Sequence, residues 1–160
     1  HEYIKTGRKG DKFGISSNEL VLKLSRYIYN SNNLRLIGLA CHIGSQIRDL
    51  ESYKSTAINI KKLAEDIDKT GNKLNFLDLG GGLGVPYKDD KTPSPEELVS
   101  IIEAELKDRK EKIILEPGRS ITGNAGVLLT KVEYIKEIEI PKITIFCPMY
   151  KGEKYIKNYL

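Results

Sequence analysis

Between Lys12 and Gly126, short and almost continuously apolar runs alternate with amphipathic segments, which leaves the chain few architectures. The runs are "KFGI", "LRLIGLACHIGS", "KLNFLDLGGG" and "KIILEPGRS", each closing on small or polar residues. A strand with one wet face alternates in polarity, whereas a run that stays apolar is covered on both faces, as in a parallel sheet. The intervening segments read as helices. "SSNEL" sets Ser16 and Glu19 at capping-box spacing, and Leu20, Leu24, Tyr27 and Ile28 then recur on one face. A second helix is expected over 50–68, with Tyr53, Ala57, Ile60, Ala64 and Ile67 as its apolar stripe and Gly71 as its stop. A third opens at "SPEEL", where Ser94 caps, Pro95 suits the first turn and Glu97 completes the capping box.

Strand, loop and helix recur at roughly 30 to 40 residues per unit, which is the βα pattern. Four such units build either part of a doubly wound, flavodoxin-like sheet or about half of a (β/α)8 barrel. Four parallel strands are therefore expected, ending near Ile15, Cys41, Leu79 and Glu116. Beyond Gly126 the texture changes. "VLLTKVEYIKEIEIPKITIF" has no helical period and partly alternates, so 127–160 is expected to begin an antiparallel element separate from 1–126.

Composition narrows the function classes. Among 160 residues, 26 basic and 22 acidic side chains are interspersed and leave a net charge of +4, so no basic nucleic-acid surface is expected. No apolar run reaches the length of a membrane span. Two cysteines are too few for a disulfide framework and fit a reducing, cytoplasmic setting. The chain opens on His1 rather than methionine, so it is expected to be processed or part of something longer.

The unusual residues stand just after the strands, where both candidate folds place their sites. Gly80, Gly81 and Gly82 follow one strand directly. Consecutive amides without side chains form a nest for an anion, most simply phosphate; a tight turn with close packing is the other reading. The run lacks the Lys-Ser/Thr of a phosphate-binding loop and the spacing of a dinucleotide fingerprint. His42 closes a second strand, and Ser45 follows three residues later beside Gly44. Glu116 closes another, with Arg119 after a Pro-Gly turn, so the two could pair with each other or serve a ligand. Cys41 reads as a small core residue. Two histidines without a carboxylate motif make a metal site unexpected. A phosphate nest, a flat imidazole and a carboxylate at neighbouring strand ends match what pyridoxal phosphate requires. Its phosphate needs donors, its ring a partner on one face, and its pyridine nitrogen a carboxylate that keeps it protonated.

"KFGI", "CHIGSQI", "LDLGGGLGVPY", "LEPGRSI" and "NAGVLLTKVEY" occur in the order and spacing that resembles the fold type III pyridoxal-phosphate decarboxylases. The resemblance runs from His1 to about Lys136, and "HIGSQ" with "NAGVLL" favours the branch acting on diaminopimelate over the ornithine branch. It implies an alanine racemase-like barrel followed by a β domain. It also implies a homodimer acting on a small amino acid, and conversion of meso-2,6-diaminopimelate to L-lysine. Within it, His42 resembles the histidine stacked on the cofactor ring, and Ser45 with Gly80, Gly81 and Gly82 resembles the phosphate cradle. Glu116 matches the carboxylate facing the pyridine nitrogen. Arg119 matches the arginine near the phosphate that also holds the substrate carboxylate. The lysine to which the family attaches its cofactor falls upstream of His1, and "IFCPMYKGEKYIKNYL" departs from the family's continuation. A piece of the enzyme, inactive by itself, is the resulting expectation; a related basic amino-acid decarboxylase or a non-catalytic phosphate-binding remnant are the alternatives.

Overall fold

The structure is a computed structural model that describes residues 14–15, 17–87, 91–127, 129, 131, 135–136 and 144–145. The backbone divides into two compact units, His1–Ala125 and Gly126–Leu160. In the first, α1 (Asn18–Tyr29), β1 (Gly38–Ala40), α2 (Leu50–Asp68), β2 (Phe76–Asp78), α3 (Pro95–Leu106), β3 (Lys112–Ile114) and the single turn α4 (Arg119–Thr122) follow in order. The strands form one parallel sheet in the order β1-β2-β3, with Leu77 paired to Leu39 on one side and Ile113 on the other. Parallel neighbours in sequence order, each joined through a helix, form an arc of a βα barrel.

Two of the expected helices, α2 and α3, form for the expected reasons. The α2 stripe of Tyr53, Ala57, Ile60, Ala64 and Ile67 is buried, and it packs with Leu77, Leu98 and Ile102 into one core. Ser94 and Glu97 close a reciprocal capping box at the start of α3, with Pro95 in the first turn.

Three expectations are corrected. The α1 cap is Ser17, whose Oγ accepts from the Leu20 N–H at 3.2 Å; Ser16 lies outside the described residues. The α1 stripe is largely uncovered, with Leu20, Leu24 and Tyr27 each at least 42% exposed, because its core contact runs instead through Val21 and Leu22. The strands are also shorter than the apolar runs, three residues each, because the runs continue into the loops that carry the site. The first expected strand falls mostly outside the described residues, and Gly14 and Ile15 belong to no strand.

In the second unit, β4 (Ile135–Lys136) pairs antiparallel with β5 (Thr144–Ile145), Ile135 opposite Ile145. Among the described residues, no helix is long and apolar enough to cross a membrane.

Candidate functional site

Parallel strands point their C-terminal ends the same way, so the loops after β1, β2 and β3 meet at one end of the sheet. Backbone hydrogen bonds interlock them. Cys41 donates to the Asp78 carbonyl at 2.9 Å, and Glu116 donates to the Gly80 carbonyl at 2.8 Å. The Asp78 carboxylate turns back onto its own loop and accepts from the Gly80 N–H at 2.8 Å.

The glycines are required here by their neighbours. Gly80 and Gly82 have φ of +69° and +100°, a region that side chains with a Cβ rarely enter. A Cβ on Gly80 would lie 2.5 Å from the Cys41 carbonyl oxygen and 2.9 Å from His42 Nδ1. One on Gly81 would fall onto the Glu116 carbonyl oxygen, and one on Gly82 onto that of Gly44. Close packing of the three loops is therefore sufficient reason for the run, independent of any ligand. The nest is also partly spent internally. The Gly80 N–H is held by Asp78, and the Gly81 N–H approaches His42 Nδ1 at 3.5 Å, the long limit of a hydrogen bond. Gly81 is held from behind as well, because the buried Tyr53 hydroxyl donates to its carbonyl at 3.2 Å.

His42, Ser45 and Glu116 are exposed at this end of the sheet. The possible Glu116–Arg119 ion pair is not formed. The Arg119 guanidinium instead donates to the Tyr87 hydroxyl at 2.9 Å and to Ser45 Oγ at 3.5 Å, reaching from the β3 side to the β1 side. Among the described residues no carboxylate pairs with Arg119. A guanidinium held by neutral hydroxyls keeps its charge available to an anion.

The match to known proteins follows this geometry. Residues 1–123 match the family model for the pyridoxal-binding domain of pyridoxal-dependent decarboxylases. The chain belongs to the pyridoxal-dependent decarboxylase family. It is 44% identical over 138 residues to the diaminopimelate decarboxylase of Aquifex aeolicus, covering 86% of this chain and 33% of that protein. The crystal structure of Helicobacter pylori diaminopimelate decarboxylase complexed with L-lysine superposes with a TM-score of 0.77 at 36% identity, covering 86% of this chain and 34% of that one. The arginine decarboxylase of Paramecium bursaria Chlorella virus superposes with a TM-score of 0.64 at 26% identity, over 82% of this chain and 35% of that one. The chain thus spans about a third of the length of the curated relatives it matches.

Within this family frame, two contacts escaped sequence reasoning. Tyr87 lies in the quoted "GVPY" stretch, but nothing in its spacing announces a bond to Arg119. Tyr53 is legible only as a core residue, and its hydroxyl is the polar exception on that stripe. Cys41 behaves as the core residue it was expected to be, half-buried and packed against the main cluster. Burial, and then the nearby Asp78 carboxylate, push its thiol up to about 11. The thiolate fraction near pH 8 should therefore lie about a hundred-fold below that of an ordinary cysteine. Iodoacetamide labelling of Cys41, followed by mass spectrometry, should be correspondingly slow and should accelerate only as the pH climbs toward 11. Labelling at pH 8 as fast as a free cysteine peptide would contradict this.

Proposed function

We propose that this chain carries the cofactor-holding arc of a diaminopimelate decarboxylase, which converts meso-2,6-diaminopimelate to L-lysine with pyridoxal 5'-phosphate. The observation that carries the reading is Arg119, a guanidinium bridging Tyr87 and Ser45 with no carboxylate partner among the described residues. The donor set fits the cofactor: a guanidinium, a hydroxyl and the glycine-loop backbone suit a phosphate, and an exposed imidazole and carboxylate stand on the flanking loops.

In this reading Ser45 and the backbone of the Gly80, Gly81 and Gly82 loop hold the phosphate, and His42 covers one ring face. The Gly80 N–H is then shared with or released from Asp78, and the Gly81 N–H released from its long contact to His42. Glu116 keeps a proton on the pyridine nitrogen. Arg119 holds phosphate or substrate carboxylate. When bound, the ring supplies an electron sink for the charge left as carbon dioxide departs. Residues 1–126 then form the partial cofactor-binding barrel and 127–160 open the β domain of a cytoplasmic homodimeric parent that binds neither nucleic acid nor membrane. A basic amino-acid decarboxylase of the same fold is the second reading; the match at 26% identity to an arginine decarboxylase supports it less than 44% supports the first.

Among the described residues, no lysine stands at the C-terminal end of β1, β2 or β3. The test is a titration of the full chain with pyridoxal 5'-phosphate, followed by absorbance. Saturable binding is expected, displaced by inorganic phosphate and weakened about ten-fold in Arg119→Ala. Borohydride reduction should leave no stoichiometric adduct on any one lysine, and the chain alone should form no lysine from meso-diaminopimelate. Absence of saturable binding would refute the cofactor role; a single-lysine adduct would refute the inactivity.

A further inference from the structure

One residue of the loop after β1 stands in a conformation its side chain does not favour. Gln46 has φ +60°, the only positive φ on a residue other than glycine among the described residues. Glycine, asparagine and aspartate enter this left-handed region readily, and glutamine does so rarely. A residue is held there only when its surroundings over-determine it.

The surroundings are the glycine loop. Gln46 Nε2 donates to the Val85 carbonyl at 2.6 Å, and Gln46 Oε1 accepts from the Val85 N–H at 3.2 Å. Both ends of the carboxamide thus engage one residue's main chain, as a neighbouring strand would. Next to it the main chains continue the same zipper: Ile47 N–H to the Gly82 carbonyl at 2.8 Å, and Gly84 N–H to the Ile47 carbonyl at 2.9 Å. Gly84 makes room, since a Cβ there would lie 2.9 Å from the Ile47 oxygen and 3.4 Å from Gln46 Cδ.

We propose that Gln46 is a positioning residue, a side-chain clamp that locks the Ser45 loop to the glycine loop so that both present their donors to one phosphate. Ser45 is bonded directly to Gln46, so the left-handed turn at Gln46 fixes where the Ser45 hydroxyl stands relative to Gly81 and Gly82. The chemistry demands an amide. Glutamate keeps the length but faces the Val85 carbonyl with an acceptor, and leucine keeps the bulk without either bond. The proposal rests on the phosphate reading above, and the experiment separates the two.

The full chain, Gln46→Gly, Gln46→Glu, Ser45→Ala and the double variant Ser45→Ala/Gln46→Gly are titrated with inorganic phosphate and with pyridoxal 5'-phosphate. Glycine tolerates the left-handed φ, so Gln46→Gly removes the clamp without backbone strain, and its urea midpoint shows that it folds. Gln46→Gly and Ser45→Ala are each expected to weaken binding about ten-fold, and the double variant by clearly less than the product of the two, because much of the clamp's effect runs through the Ser45 hydroxyl. Gln46→Glu should bind at least as weakly as Gln46→Gly. Amide exchange at Val85, read by NMR without ligand, should be slow in the parent chain and faster in Gln46→Gly. Parent-like affinity in Gln46→Gly, or single losses that multiply in the double variant, would overturn the positioning role. Equal Val85 exchange in both proteins would overturn the clamp whatever the ligand does. A parent chain that binds neither probe overturns the cofactor reading and the positioning role together, while Val85 exchange still decides whether the clamp exists.

Discussion

Gly81→Ala should lower the urea-unfolding free energy by about 3 kcal/mol, the upper end of what overpacking costs. The added Cβ meets the Glu116 carbonyl oxygen, with the carbonyl carbon 3.0 Å away. Neither side can yield cheaply. Glu116 is anchored to this loop by its N–H on the Gly80 carbonyl, and the Gly81 carbonyl is held from the core by Tyr53. A typical domain is stable by about 5–15 kcal/mol, so the variant should unfold at a visibly lower urea concentration and lose measurable phosphate binding. Ser45→Ala is the control. Its side chain is exposed, so its midpoint should stay within about 0.5 kcal/mol of the parent while phosphate binding weakens. An unshifted midpoint in Gly81→Ala would mean that the loops are not packed as described.

The second large effect belongs to the opposite end of the sheet. Arg109, just before β3, donates through Nη1 to Asp68 at 2.8 Å and through Nε to Glu111 at 3.0 Å, with a further Nη2 contact to Glu111. The Arg109 and Glu111 side chains are only 11% and 6% exposed. Burial alone would raise the Glu111 carboxyl, but its bonds from Arg109 and the main chain hold it below the usual carboxylate range. Arg109→Met leaves that carboxylate buried without its cation, at a cost of about 3 kcal/mol or more at neutral pH. The sign of the pH dependence follows. In the parent, the depressed Glu111 value adds stability above the unfolded carboxylate's value near 4.3, and that contribution is lost on acidification. In the variant, Glu111 keeps its main-chain bonds but loses those from Arg109, so desolvation is opposed less, the carboxyl rises relative to the parent, and its penalty is relieved as the pH falls. The stability gap between the two proteins should therefore narrow from pH 7 toward pH 4. Arg109→Met/Glu111→Leu should recover much of the loss. A gap independent of pH would show that packing of the arginine stem, not charge, dominates.

How far the sequence predicts the structure depends on whether a feature is made within one element or between two. The α2 stripe and the α3 capping box rest on local spacing, and both were legible residue by residue. The α1 stripe was legible as a period but not as a buried surface, since its neighbour is not encoded in its own spacing. What α1 buries fully is Ser25, whose Oγ donates back to the Val21 carbonyl and whose own carbonyl accepts from Asn72 Nδ2. At the site, the position of each residue just after a strand was enough to read that the Ser45 loop, the glycine loop and the Arg119 turn stand at one end of the sheet. There Arg119 reaches Ser45, and the loop carrying Ile47 bonds to Gly82. The partner of Arg119 could not be read, because Glu116 is nearer in sequence while Ser45 and Tyr87 are nearer in space. The left-handed Gln46 was equally hidden, since no turn signal favours glutamine there.

The crowded glycines carry an evolutionary corollary. At Gly80, Gly81 and Gly82, the space where a side chain would begin is occupied by a carbonyl oxygen from a different loop. No one-step substitution there can be accommodated without a matching shift in a second loop, so descendants of this chain should find these positions closed to gradual change. Tyr87, half exposed at the rim, meets no such restriction. Novelty in what the site accepts should therefore enter through the rim, leaving the seat beneath it unaltered.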